Sequence, residues 1–201
     1  MLFGWVWAVR PEKISRKAGW DSVISLPRVL TMAADGSIRY APPEDLQVLR
    51  AKHVGLSDVP VSEGVIALET VNGDSLELIA EFEPGTSEKF GLALRRSPDG
   101  EEEALLTYRR RESTLTMERH RSSLDPEVWA YPCGGQLSLA DGENLLLQIF
   151  LDHSVIEVFA NGKLCLTSRI YPTRSDSLGV AAFAQGGSAT LRRLEAWEIV
   201  P

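Results

Sequence analysis

The 201-residue sequence has few of the residues that most often carry protein chemistry, with only two cysteines and three histidines. Cys133 and Cys165 have neither the number nor the spacing of a disulfide framework or a zinc site, so two reduced thiols are expected. His53, His120 and His153 stand apart, and a zinc site needs three or four convergent ligands. No metal and no other cofactor is expected. Basic charge is also scarce: 21 lysines and arginines face 28 acidic residues, for a formal net charge of -7. That surplus opposes approach to a phosphate backbone or an anionic lipid surface, so neither nucleic acid nor membrane is expected as a partner. The one basic run, Arg109-Arg110-Arg111, is followed by Glu112 and falls where a strand should end, which reads as a solvated terminus. No stretch approaches the roughly 20 apolar residues that span a bilayer. The apolar start at 1–9 has no basic residue before Arg10 and no small-residue cleavage site after it. It does not read as a signal peptide, and a cytoplasmic location is expected.

Helical periodicity is missing too; the pattern that is present has period two. From Val61 onward apolar and polar residues alternate between turn signals, as in antiparallel strands half buried in a two-sheet β-sandwich. Leu76, Leu78, Ala80 and Phe82 fall on one face of such a strand, with Glu77 and Glu81 on the other and Ile79 as the exception. Further strands are predicted at 90–96, 102–109, 113–119, 145–151, 155–159, 163–171, 178–184 and 189–200. The separators include Pro98-Asp99-Gly100, Asp141-Gly142 and Asn161-Gly162. The last is a type I′ hairpin signal, and Asn72-Gly73 repeats it one hairpin earlier. The run 145–151 is apolar on both faces and predicts a central strand covered on both sides. Leu76, Leu78, Phe82, Leu92, Leu94, Leu147, Ile149, Val158 and Phe183 are the expected core of an all-β domain with negligible helix.

Two regions depart from this pattern. Residues 1–30 hold three of the five tryptophans, Trp5, Trp7 and Trp20, and read as an N-terminal extension. Leu2, Phe3, Trp5, Val6 and Trp7 would expose a large apolar surface if free, so the segment is expected to dock on a sheet edge or on a second copy, giving a homodimer. Residues 31–60, with Pro42, Pro43, Gly55 and Pro60, read as an irregular linker, which leaves 61–201 as the sandwich.

The stretch 150–162 contains Asp152, Ser154, Glu157, Phe159 and Gly162 in the spacing D-x-S-x-x-E-x-F-x-x-G, and resembles the signature of the C-terminal sandwich in glycoside hydrolase family 32. Thr167-Ser168-Arg169-Ile170-Tyr171-Pro172-Thr173 is similar to a second segment of that domain. Arg121-Ser122-Ser123-Leu124-Asp125-Pro126 resembles a third. Gly19-Trp20 with Leu26-Pro27-Arg28 resembles the strand that leaves the family's propeller, which makes 1–30 the remnant of a last blade. The resemblance implies a concanavalin A-like jelly roll from the invertase, levanase and sucrose-6-phosphate hydrolase group of β-fructosidases. It also implies that the chemistry lies elsewhere, because the family's N-D-P-N, R-D-P and E-C carboxylate motifs sit in a five-bladed propeller. None is present here; Asp125-Pro126 follows Leu124 instead of arginine and reads as a turn. Blades of roughly 40–50 residues each would consume more than the whole chain.

Three roles then compete. The first is a non-catalytic domain with a structural, oligomerising or carbohydrate-accessory function. The second is one half of a glycosidase whose propeller comes from a missing region or a separate chain. The third is an independent module binding fructose-containing oligosaccharides. Retaining hydrolysis needs two carboxyl groups about 5–5.5 Å apart. Taken as one strand, the five-residue spacing of Asp152 and Glu157 sends them to opposite faces about 16 Å apart. A structural reading follows for both, with an ion pair to a neighbour such as Arg169, and Ser154, Phe159 and Tyr171 are read as structural with them. His153 and Glu157 would share a face but lie too far apart for contact. Contacts to carbohydrate or partner are expected instead from the irregular segment 119–135, at His120, Arg121, Trp129 and Tyr131, where aromatics with polar tips suit a sugar ring. The competing reading of Trp129 is a cover for the sandwich edge or a propeller contact.

Overall fold

The computed structural model describes residues 1–200. Strand β1 (Trp5–Val6), helix α1 (Glu12–Ala18) and strand β2 (Val23–Ile24) open the chain, with β2 antiparallel to β1. Helix α1 carries a Glu12–Arg16 pair one turn apart and stops at Gly19, whose φ of 80° suits a residue without a Cβ. The hairpin β3 (Val29–Met32) and β4 (Ile38–Ala41) follows, and then a 3-10 turn at Glu44–Leu49. The sandwich strands come next: β5 (Arg50–Val61), β6 (Gly64–Asn72), β7 (Ser75–Glu83), β8 (Lys89–Arg96), β9 (Ala104–Arg109) and β10 (Thr114–Glu118). They continue with β11 (Cys133–Gln136), β12 (Leu145–Asp152), β13 (Val155–Ala160), β14 (Leu164–Arg169), β15 (Gly179–Gln185) and β16 (Ala189–Ile199). No helix is long and apolar enough to cross a membrane among the described residues.

Two antiparallel sheets face each other. One runs β14-β13-β12-β7-β16-β5, the other β11-β10-β9-β8-β15, with β6 lying along β15. The alternation read from the sequence decides which side chains meet. Leu76, Leu78, Ala80 and Phe82 of β7 join Leu147, Ile149 and Leu151 of β12 in one core with Leu92, Leu94, Leu106 and Met117 of the facing sheet. All nine expected core residues are buried. Phe183 is buried outside the common core cluster, on a strand whose alternate residues Ala182 and Ala184 belong to it. It stands opposite Gly91, where a Cβ would come 1.9 Å from the Leu106 carbonyl oxygen. Leu147→Ala is expected to cost about 2–5 kcal/mol, because the site is fully closed and opens a cavity. A denaturant midpoint shifted by less than half a kcal/mol equivalent would contradict this packing.

The Asn161-Gly162 turn forms as read: both residues have positive φ, and the Lys163 N–H donates to the Ala160 carbonyl at 2.8 Å. Asn72-Gly73 does not close a hairpin. Of the strands it joins, β7 belongs to the six-stranded sheet and β6 lies along β15 of the facing sheet, so the turn crosses the sandwich. The stretch read as an irregular linker also differs. It holds the β3–β4 hairpin, and its last residues form β5, which pairs with β16 from Ala189↔Val61 to Ile199↔Arg50. Proline and glycine misled there because β5 is an edge strand, where Pro60 needs no outward ladder bond. The run 145–151 is central, but its outer face is covered only in part: Phe150 is buried, while Leu146 is 40% exposed.

Candidate functional site

Three residues of the six-stranded sheet stand in one row on its outer face. Phe150 of β12 is opposite Glu77 of β7 on one side and Glu157 of β13 on the other. Both carboxylates are 1% exposed, and burial of an ion is tolerated only where partners satisfy it. Glu77 accepts from Arg50 Nε and Nη2 at 2.7 Å each and from Gln148 at 2.8 Å, while Arg50 also stacks on Trp197. Glu157 accepts from the Leu26 N–H at 2.5 Å, Arg28 Nη2 at 3.2 Å and Thr167 Oγ1 at 3.0 Å. Its partner is therefore Arg28, not Arg169 as the sequence reading supposed. The consequence is structural: the motif glutamate fastens residues 26–28 to the sandwich.

The expected placement of Asp152 and Glu157 on opposite faces is also corrected. The turn at His153-Ser154, with His153 at φ 48°, divides them between β12 and β13. Asp152 lies opposite Val155, two residues from Glu157, so the two share the outer face as a diagonal pair with Cα atoms about 7–8 Å apart. Together they line a groove of about 440 Å³ with Val23, Ile24, Leu26 and Phe150. Proximity does not make them a hydrolytic pair. Both Glu157 oxygens already accept hydrogen bonds, and Asp152 is a solvent-exposed residue at the strand end. His153 sits in the turn and faces Asp74, with Nδ1 3.2 Å from Oδ2, rather than sharing a strand with Glu157.

The remaining motif residues tie the N-terminal segment down. Ser154 Oγ accepts from Arg169 Nη2 at 2.9 Å, and the Phe159 ring meets Phe150 edge-on. Tyr171 donates its hydroxyl to the Ala8 carbonyl at 2.6 Å, and burial pushes its phenol above the ordinary value. Arg10 and Arg169 each lie within about 5 Å of the Trp20 and Tyr171 rings. Val6 and Ala8 are buried, and the Val9 carbonyl accepts from the Trp129 N–H at 2.9 Å. The segment is docked, but on one side only: Phe3, Trp5 and Trp7 are 56%, 75% and 55% exposed, and Ile24, opposite Trp5, is exposed as well.

The four residues expected to contact carbohydrate or a partner have the following surroundings. His120 and Tyr131 are exposed, and Arg119 donates to the Tyr131 carbonyl. Arg121 pairs with Glu103 and donates to the Gly100 carbonyl. Trp129 meets Trp7 edge-on at 5.4 Å. The segment is also shorter than read, since β11 begins at Cys133. Each arginine of the basic run has a partner: Arg109 pairs with Glu118, Arg110 donates to the Gly85 carbonyl and Arg111 pairs with Glu88. No group of three potential metal ligands is present among the described residues.

Sequence reasoning missed Glu102, which has no exposed surface. It accepts from the N–H groups of Leu124, Thr173 and Arg174 and from the hydroxyls of Thr173 and Ser177. The sequence reading placed residue 102 only as the start of a strand, and nothing in the run Glu101-Glu102-Glu103 marks which carboxylate is enclosed.

A model of the family described as "Glycosyl hydrolases family 32 C terminal" matches residues 45–198, and the chain belongs to that family. Beta-fructofuranosidase, insoluble isoenzyme 3, of Oryza sativa subsp. indica is 27% identical, over 97% of this chain and 41% of its own length. Sucrose-6-phosphate hydrolase of Zymomonas mobilis is 30% identical, over 99% of this chain and 38% of its own. The chain thus spans about two-fifths of the relatives it matches. The fold agrees with that of fructan 1-exohydrolase IIa from Cichorium intybus, with a TM-score of 0.87 at 20% identity, over 98% of this chain and 44% of the other.

Proposed function

We propose that this domain is the non-catalytic sandwich of a β-fructosidase, and that cleavage of sucrose or fructan belongs to a propeller seated on its N-terminal segment. The observation that carries this reading is the two-sided character of that segment. Val6 and Ala8 are buried against the sandwich, while Phe3, Trp5, Trp7 and Ile24 present an apolar ladder to solvent. Monomers rarely leave such a patch uncovered. A propeller, in the same polypeptide or a separate one, is the occupant that continues the strands β1 and β2; a second copy of this chain is the rival occupant. The missing propeller motifs and the commitment of both Glu157 oxygens support the non-catalytic part.

The isolated chain is expected to release no fructose from sucrose, inulin, levan or an aryl fructoside. Fructose release that Glu157→Gln or Asp152→Asn abolishes without loss of fold would overturn this reading. The Trp7–Trp129 pair favours one secondary role, an accessory contact to a fructose-containing oligosaccharide, through aromatic faces offered to a sugar ring. Calorimetric titration of the same preparation with inulin serves that reading, and absence of heat would remove it.

A further inference from the structure

Arg10 and Arg169 each bury two guanidinium nitrogens without a partner, where Arg28 and Arg96 bury one. Arg95 donates to the carbonyls of Ser177 and His153 at 2.7 and 2.8 Å, and Arg119 to those of Tyr131 and Arg169 at 2.8 Å each. Arg169 is 1% exposed; its Nη2 donates to Ser154 and the Tyr171 hydroxyl lies beside its guanidinium, yet its Nε and Nη1 have no partner. The Nε and Nη2 of Arg10 are likewise enclosed and unpartnered. Neither guanidinium has a carboxylate within 4.0 Å among the described residues; Asp152 acts on Arg169 only from farther away.

Both groups lie against the same two rings. Arg10 Cζ is 4.5 Å from the Tyr171 centroid and 5.1 Å from that of Trp20, and Arg169 Cζ is 5.1 and 5.0 Å from them. Ring faces attract the delocalised charge, whereas the N–H groups point outward in the guanidinium plane and match an oxyanion in fork geometry. Two like charges brought together away from water repel, and burial together with Arg10 holds Arg169 below the ordinary guanidinium range. Arg169, though not Arg10, lines a pocket of about 220 Å³, with Arg119, Ser168, Trp5 and Trp7 among its neighbours.

We propose that Arg10 and Arg169 form an oxyanion site, taking a phosphate group between them at the junction of the N-terminal segment with the sandwich. The proposal is independent of the two-domain reading, because both arginines belong to this chain. The ligand chemistry is a tetrahedral oxyanion, supplied by free phosphate or by a sugar phosphate.

Titration calorimetry of the chain with inorganic phosphate, at ionic strength held constant with chloride, is expected to show saturable binding. Arg10→Gln should weaken it about tenfold or more, since charge-assisted hydrogen bonds are the strong ones. Arg10 Nε and Nη2 have no partner to lose, and the thermal midpoint of the variant will report whether loss of its stacking on Trp20 and Tyr171 leaves the fold intact. Fructose 6-phosphate that binds more tightly than phosphate, with fructose alone silent, would assign the site to a sugar phosphate, and equal binding would assign it to the free ion. Phosphate that binds no better than chloride, or equally well to wild type and Arg10→Gln, overturns the proposal.

Discussion

Glu102→Ala is expected to lower stability by about 4 kcal/mol, a larger loss than most single substitutions produce. The carboxylate joins three loops that have no ladder between them. The Ser97–Glu103 turn meets the 122–125 segment through the Leu124 N–H, and the 173–177 segment through Thr173, Arg174 and Ser177. Removing it leaves five donors without their acceptor, the Ser177 hydroxyl buried and the other four partly so, and each buried donor left unsatisfied carries a desolvation cost of about 1–3 kcal/mol before relaxation. Burial alone would raise the Glu102 carboxyl, but the bonds from Thr173, Ser177 and the backbone outweigh it and hold the group below its ordinary value. The stabilisation is therefore complete above the unfolded value of about 4.3 and fades as pH falls through the lower folded one. Denaturant melts of wild type and Glu102→Gln between pH 7 and pH 3 should converge toward acid. A gap between them that stays constant across that range would show that Glu102 is not the linked group.

Glu157→Ala should act on a different part of the molecule. Loss of one partner from a buried ion pair leaves the other uncompensated, at a cost of about 3–5 kcal/mol. Here the stranded groups are Arg28, the Leu26 N–H and Thr167, all on or facing the N-terminal segment. The local result is that residues 1–30 lift from the sheet before the sandwich unfolds. Hydrogen exchange should accelerate at Leu26 and Arg28 while Leu147 and Ile149 stay protected, and limited proteolysis should cut ahead of residue 30. Unchanged exchange at Leu26 would mean that Trp20, Tyr171 and the arginines stacked on them hold the segment unaided.

Much of the sandwich was legible because each strand has one wet face, and alternation of Leu76, Leu78 and Phe82 with Glu77 and Glu81 records which face is inside. The same signal failed at β5, whose outward edge tolerates Pro60 and Gly55 and so imitates a loop. It failed again at Asn72-Gly73, where local turn chemistry is the same whether the chain returns in its own sheet or crosses to the other. The role of the motif residues was less accessible. Asp152 and Glu157 looked like one strand because a two-residue turn through His153 contains no glycine to announce it. Arg28, which neutralises Glu157, lies 129 residues away. Glu102 could not be told from Glu101 by composition, since only the folding of three distant segments around it makes one carboxylate buried and leaves its neighbour wet.

The order β14-β13-β12-β7-β16-β5 sets a condition on synthesis by the ribosome. The last strand to emerge is not added at a margin; it inserts between β7 and β5, both made more than a hundred residues earlier. Until it arrives, β5 has no strand to pair with and the β7 ladder is open on one side, so the nascent chain cannot finish this sheet as it is extruded. Such nonlocal closure slows folding and leaves strand edges exposed meanwhile, which makes the unfinished chain a substrate for chaperones. A stop codon shortly before Ala189 would therefore split one sheet into two pieces rather than trim it, and the product should be cleared as misfolded instead of persisting as a shortened domain.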